Sequence, residues 1–250
     1  MPLMDEFREE RQAIKNASFK KKWEYFWEYY KWYVIGGAAI IFLLSIFIRD
    51  MINKKDWIFY GAMINAVPIE EQADIFLNGF VELAQLDTET YSVMLDTSYS
   101  IIKGSYDEIS GAAAQKLMIN LTAADLDFIL SDETTFGQYA TIDTFMDMRT
   151  LFTGEELSKY EPYFYYVDMA EVDRIMESNL SADPGSYTGK DYDHTNPEKM
   201  ERPVPVAIYI NSSEKLNKAY LFKEEAVVLG IPLNTQHLDT SLLFIDYLFE

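Results

Sequence analysis

The stretch WIFYGAMINAVPIEEQADIFLNGFVELAQLDTETYSVML, residues 57–95, determines the fold class of this chain. Residues 57–64 and 91–95 at its two ends are short apolar, aromatic and β-branched runs, which are typical of strands. Between them, residues 70–86 place apolar side chains on one helical face: Ala73, Phe76, Leu77, Phe80, Leu83 and Ala84. This order of strand, helix and strand predicts two parallel strands covered by the helix.

The same alternation continues to the end of the chain. Further strands are predicted at residues 126–130, 164–167, 204–210 and 226–231, and further helices at residues 106–121 and 237–249. We therefore predict an α/β domain over residues 56–250, built on a largely parallel sheet. A stretch rich in proline, glycine and charge, residues 181–205, interrupts the pattern and indicates a surface loop that is either mobile or functional.

The run WYVIGGAAIIFLLSIFI, residues 32–48, carries no charge and decides the domain organisation. As a helix it covers about 25 Å of a hydrocarbon core that is about 30 Å thick. A cleaved signal peptide would start closer to the N-terminus and end in small residues, and a core helix would show one polar face. The sequence favours a transmembrane helix at 32–48, preceded by a cytoplasmic and juxtamembrane segment at 1–31.

The charge distribution gives this span a direction. Residues 1–55 hold ten Lys or Arg and seven Asp or Glu, whereas residues 56–250 hold eleven and thirty-four, so the net charges are +3 and −23. Seven basic residues precede the span and three follow it. Because basic residues concentrate on the cytoplasmic side, we expect a single-pass cell-membrane protein with a cytoplasmic N-terminus and an extracellular C-terminal domain.

The composition excludes several classes of function. Without cysteine the chain has no disulfide, thiolate metal site, cysteine nucleophile or lipid-bearing cysteine. A net charge of −20 argues against a nucleic-acid partner, because phosphate binding depends on Lys and Arg. Motifs of nucleotide-binding, serine-hydrolase and zinc-peptidase sites are absent, and neither His194 nor His237 has a metal-ligand pattern around it. We predict no enzyme activity, no catalytic residue, no metal and no cofactor, and interpret Asp125 and Asp127 as solvated surface residues.

A binding function remains, and its candidate residues follow the predicted strands. In open α/β sheets, ligands bind beyond the carboxyl ends of strands. The polar residues at such places are Asn65, Thr97, Ser98, Tyr99, Ser131, Asp132, Thr134, Thr135, Asn211 and Ser212. Each has an alternative role as a turn or helix-capping residue, as Ser131 or Asp132 would have in front of Glu133. The sequence leaves both roles open.

Several segments resemble extracellular solute-binding proteins of bacteria, of the type II periplasmic-binding-protein-like class. The segment DLDFILSDETTFGQYA, residues 125–140, is similar to their buried strand, polar turn and following helix. Residues 143–166 resemble the short helix and return strand, and VVLGIPLNTQHLDTSLLFIDYLFE, residues 227–250, resembles the closing strand and helix. The N-terminal part, from Phe7 through the aromatic run, is similar to uncharacterised single-pass membrane proteins of Gram-positive bacteria that carry such a domain outside.

This resemblance implies a membrane-anchored module that binds a small solute and serves a permease or acts as a sensor. It also implies two lobes around a cleft, but 195 residues leave room for only one ordinary lobe and a small one. The lipidated cysteine typical of Gram-positive members is absent, and an uncleaved helix would replace it. The alternative is a structural or protein-interaction module of the cell envelope with a vestigial ligand cleft.

The orientation can be tested with protease added to intact cells stripped of their wall. We expect digestion to remove the region after Lys55 and to spare an epitope placed at the N-terminus, because the basic flank lies inside. The measurement is an immunoblot of epitopes at both ends of the chain. Protection of the C-terminal epitope would contradict the predicted orientation.

Overall fold

The computed structural model describes residues 18–53, 55–105, 107–142, 144–180 and 189–250. The chain divides into two compact units, Met1–Lys55 and Asp56–Glu250. The predicted cytoplasmic segment 1–31 is described only from residue 18, and residues 181–188 of the predicted loop 181–205 lie outside the described residues.

The described residues of the first unit form one long helix, α1 (Phe19–Asn53). Within it, Tyr30–Arg49 is long and apolar enough to cross a membrane, with a mean hydropathy of 2.0 and none of its window buried. This lack of burial distinguishes it from the core helix of a soluble protein, whereas a signal sequence has the same length and composition. Ahead of this window the rings of Trp23 and Phe26 stack, as do those of Phe26 and Tyr30.

The second unit alternates strands and helices, as the sequence predicts. Its strands are β1 (Trp57–Met63), β2 (Val67–Pro68), β3 (Ser92–Asp96), β4 (Phe128–Asp132), β5 (Phe164–Asp168), β6 (Pro203–Tyr209), β7 (Tyr220–Leu221) and β8 (Val227–Gly230). Its α-helices are α2 (Glu70–Leu83), α3 (Glu108–Thr122), α4 (Glu133–Ala140), α5 (Met148–Leu151), α6 (Gly154–Tyr160), α7 (Met169–Asn179), α8 (Glu214–Ala219) and α9 (Leu238–Phe249). Short 3₁₀ turns occupy Glu161–Tyr163 and Pro197–Lys199.

All six strands predicted from the sequence form one sheet, in the order β3-β1-β4-β8-β6-β5. The prediction of parallel pairing is confirmed for β1 with β3 and for β1 with β4. The sheet is mixed rather than largely parallel, because β8 inserts between β4 and β6 and runs against both, and β5 runs against β6. Strands β2 and β7 form a separate antiparallel pair.

One face of the sheet is an aromatic core. The ring of Phe244 on α9 stacks on Phe128 of β4 with centroids 4.6 Å apart, and it lies 4.9 Å from Phe80 of α2 and 5.3 Å from Phe59 of β1. Gly61, the partner of Phe128 across the strand pair, leaves room for this ring, since a Cβ atom there would lie 2.1 Å from it. This packing places the last helix against the first strand and the central strand β4.

The opposite face buries a second apolar cluster. Tyr60 and Ile129 point from β1 and β4 into it, and Leu117 of α3 and Phe136 of α4 cover them. Both faces of the sheet are therefore buried, which is typical of sheets whose strands are joined by helices.

The packing of α9 predicts a large loss of stability when Ile245 is replaced by alanine. Ile245 is fully buried, so Ile245→Ala should lower the free energy of unfolding by about 2–5 kcal/mol. Its neighbour Leu243 is 41% exposed, and Leu243→Ala should cost much less. Urea denaturation of a fragment beginning at Asp56 measures both values, and equal losses would contradict the burial of Ile245 against the sheet.

Candidate functional site

A cavity of about 700 Å³ opens at the carboxyl edge of the parallel half of the sheet. Its walls come from the segments that follow β1, β3 and β4, and from the loop between β7 and β8. Six of the ten sequence-predicted site residues line it: Asn65, Thr97, Tyr99, Asp132, Thr134 and Thr135. The structure thus brings together residues that lie up to 70 positions apart in the chain.

The cavity lies at a topological switch point. From β1 the chain crosses through α2 to β3 on one side, whereas β4 pairs with β1 on the other side. The connections that leave the carboxyl ends of β1 and β4 therefore diverge, and a crevice opens between them. Ligands of open α/β sheets are generally bound at such a crevice.

Asn65 joins the walls of this cavity. Its Nδ2 donates to the carbonyl oxygen of Ile101 at 2.8 Å, to Asp132 Oδ2 at 2.9 Å and to Thr135 Oγ1 at 3.2 Å. Its Oδ1 accepts from the backbone N–H of Ile101 at 2.9 Å. The backbone of Asn65 has a φ of 57°, a left-handed conformation that asparagine tolerates better than most residues. Asn65 thus fixes the end of β1 to the segments after β3 and β4.

Asp132 caps the helix that follows it. Its Oδ1 accepts from the backbone N–H of Thr135 at 3.0 Å and from Thr135 Oγ1 at 2.8 Å. The capping role that the sequence left open is therefore the one that Asp132 has. Ser131, the other capping candidate, is fully buried, and within the described residues its Oγ has no hydrogen-bond partner.

The other sequence-predicted residues lie around the cavity or apart from it. Ser98 is exposed, and its Oγ accepts from Lys116 Nζ at 2.8 Å. Asn211 lines a second, adjacent cavity of about 510 Å³, which shares Lys223 and Glu224 with the first. Ser212 is exposed in the turn after β6 and lines neither of these two cavities.

A buried polar network supports the cavity from behind. Tyr99 OH lies 3.0 Å from Tyr60 OH and accepts from Asn120 Nδ2 at 2.8 Å. Tyr60 OH donates to Asp96 Oδ2 at 2.9 Å, and Lys116 Nζ donates to the same oxygen at 2.6 Å. These contacts hold the end of β3 against α3 and fix the ring of Tyr99 in the cavity wall.

The network shifts the pKa values of its members. Burial alone would raise the pKa of Asp96, but the hydrogen bonds from Lys116 and Ser98 outweigh it and hold this pKa below 3.8. Burial raises the pKa values of Tyr60 and Tyr99, so both phenols keep their protons at neutral pH. The charged Asp96 stabilises the fold above pH 3.8, and this contribution is lost as the pH falls through the lower folded-state pKa.

The structure adds cavity residues that the sequence did not indicate. Lys103, Lys223 and Glu224 all line the cavity. Glu224 Oε2 accepts from the backbone N–H of Thr134 at 3.2 Å across 90 residues of sequence. The loop between β7 and β8 carries no motif, and only its contact with α4 shows that it belongs to the site.

The interpretation of Asp127 as a solvated residue is wrong, whereas Asp125 is exposed. Asp127 is 1% exposed, because it precedes β4 and accepts from the backbone N–H of Tyr60 at 2.8 Å and from Thr235 Oγ1 at 2.7 Å. His237 Nδ1 lies 3.0 Å from Asp127 Oδ1. This pair is at the amino end of the sheet and ties the start of α9 to β4.

His194 is half-buried and packs against β5. Its ring stacks on Tyr165 with centroids 4.1 Å apart, and its Nδ1 lies 2.7 Å from the carbonyl oxygen of Tyr166. The carbonyl oxygen of His194 accepts from the backbone N–H of Tyr166 at 2.8 Å, and Tyr192 OH accepts from the backbone N–H of Asp168 at 3.0 Å. The described end of the loop 181–205 therefore covers the outer edge of β5.

Within the described residues, no group of three or more His, Asp or Glu side chains is placed to hold a metal ion. Comparisons of the chain with protein-family models, with curated proteins and with solved structures find no match.

Asn65 offers a direct test of how the cavity is held together. Asn65→Ala should lower the free energy of unfolding by about 1–3 kcal/mol for each buried polar group that loses its partner. Asn65→Gly removes the same hydrogen bonds but relieves the left-handed backbone, so it should cost less than the alanine variant. Chemical denaturation of the fragment beginning at Asp56 measures both, and wild-type stability of the alanine variant would contradict the role of Asn65.

Proposed function

We propose that this protein is a membrane-anchored extracellular binding module that takes a small solute in the cavity beside Asn65. The cavity at the carboxyl edge of β1, β3 and β4 is the observation that carries this proposal. Its volume of about 700 Å³ lies within the range of small-molecule sites, about 300–1,000 Å³. Its walls combine apolar side chains with hydroxyl and charged groups, which is the usual composition of such sites.

The anchor in this proposal is α1. The window Tyr30–Arg49 has the length of a transmembrane helix, and the flanking lysines and aromatic rings suit a headgroup interface. The excess of basic residues before the window supports an N-terminus in the cytoplasm. In this orientation the acidic unit Asp56–Glu250 faces the outside, where a permease or a sensor partner would receive the bound solute.

We propose only part of the two-lobed architecture of solute-binding proteins for this chain. The described strands of Asp56–Glu250 form one six-stranded sheet and one short pair, and the cavity lies at the edge of the large sheet. We propose that this one sheet carries the ligand site, without a second lobe of comparable size. A site on one lobe stays open to solvent, so we expect weaker binding than in a closed cleft.

A second function, a protein-interaction module with a vestigial cleft, is favoured by one observation. The side chains of Asn65, Asp132 and Thr135 are engaged with each other instead of pointing to a ligand. The apolar side chains of Val67 and Ile102 at the cavity are more than half exposed, as an interaction surface would require.

A thermal-shift screen of the full chain in nonionic detergent separates the two functions. Solute binding should raise the melting temperature by an amount that grows with ligand concentration. Thr134→Trp places a large ring at the exposed cavity wall and should abolish the shift, whereas Thr153→Trp, at an exposed position outside the cavity, should preserve it. If no compound shifts the melting temperature, or if both variants respond alike, the solute-binding function is wrong.

A further inference from the structure

Most of the Lys and Arg side chains of the acidic unit form ion pairs with carboxylates. Residues 56–250 contain eleven Lys and Arg against thirty-four Asp and Glu, and all eleven lie within the described residues. Eight of them form ion pairs with carboxylates: Lys116, Arg149, Lys159, Arg174, Lys190, Arg202, Lys215 and Lys218. In the described ranges, the remaining three, Lys103, Lys199 and Lys223, form no ion pair.

Two of these three unpaired lysines line the same cavity. Lys103 reaches it from the segment after β3, and Lys223 reaches it from the loop between β7 and β8. In a domain with three times as many acids as bases, most ammonium groups find a carboxylate nearby. Two ammonium groups without a carboxylate partner at one concave site are available to an anionic ligand.

In the part of the chain that the structure describes, the two carboxylates that line the cavity, Asp132 and Glu224, form no ion pair with these lysines. Both oxygens of Asp132 accept hydrogen bonds from Asn65 or Thr135, and Asp132 is buried. Glu224 bonds to the backbone N–H of Thr134. Among the described residues, the side-chain hydroxyls of Thr97 and Ser100 make no hydrogen bond, so they are available to a ligand.

We propose that the ligand of this cavity is a small anion, a carboxylate or a phosphate ester, held by Lys103 and Lys223. The proposal rests on the proposed binding function and names the chemical class of its ligand. Lysine is a compact, strongly hydrated cation that binds either kind of anion, and neighbouring hydroxyls supply the remaining donors. Glu224 also lines the cavity, and its negative charge opposes an anionic ligand, so its removal should strengthen binding.

The test is isothermal titration calorimetry on the full chain in nonionic detergent, with inorganic phosphate and succinate as separate probes. Lys103→Gln and Lys223→Gln should each weaken binding about tenfold or more, the usual effect of losing one charged hydrogen bond. Lys199→Gln removes the same charge from an exposed position outside the cavity and should leave the dissociation constant unchanged. Glu224→Gln should lower the dissociation constant.

The two probes distinguish the source of the anion. Binding of phosphate alone assigns a phosphate ester, binding of succinate alone assigns a carboxylate, and either result with the expected variant pattern supports the proposal. If neither probe binds, or if Lys199→Gln weakens binding as much as the cavity variants, the proposal is wrong.

Failure of the anion proposal and failure of the binding function give different results. If a neutral solute from the thermal-shift screen binds and keeps its affinity in Lys103→Gln and Lys223→Gln, the cavity binds a ligand but not through these lysines. If no solute of any charge binds, the binding function itself fails. All four substituted side chains are at least partly exposed, and circular dichroism of each variant verifies that it folds.

Discussion

The contact of Phe244 with the sheet is the interaction on which the unit Asp56–Glu250 depends. Its ring contacts the first strand, the first helix and the central strand of the unit at once, through Phe59, Phe80 and Phe128. These three residues come from the first 75 or so positions of the unit, whereas Phe244 lies more than a hundred residues further along the chain. The last helix therefore closes the core, and the sheet is fully covered only when α9 has docked.

Most of the fold could be predicted because each element carries its own periodicity. The helix at 70–86 and the strand at 57–64 are recognisable from spacing alone, and the structure gives α2 and β1 within a few residues of them. The direction in which the strands pair could not be predicted from this periodicity. Strand β8 is buried and carries no polar side chain, so its sequence fits either strand direction. Nothing in its residues shows that it inserts antiparallel between β4 and β6.

The candidate site could be predicted only in part, because tertiary contacts bring some of its residues together. The rule that ligands bind beyond the carboxyl ends of strands applies to Asn65, in the turn after β1, and to Asp132, the last residue of β4. Lys103 and Glu224 lie in loops with no pattern, and their position depends on tertiary contacts such as that between Glu224 and Thr134. Asp127 shows the same limitation, since its burial comes from Thr235 and His237, more than a hundred residues later.

The segment that covers the outer edge of β5 also affects the tendency of the chain to self-associate. An uncovered sheet edge offers backbone donors and acceptors to any passing strand and so promotes aggregation. At β5 the backbone of His194 and the phenol of Tyr192 occupy these groups on Tyr166 and Asp168. At the other edge of the sheet, β3 ends in the buried, charged Asp96, and an inward-pointing charge also disfavours pairing with another strand. The sheet therefore resists edge-to-edge polymerisation through a covered edge at β5 and a buried charge at the end of β3.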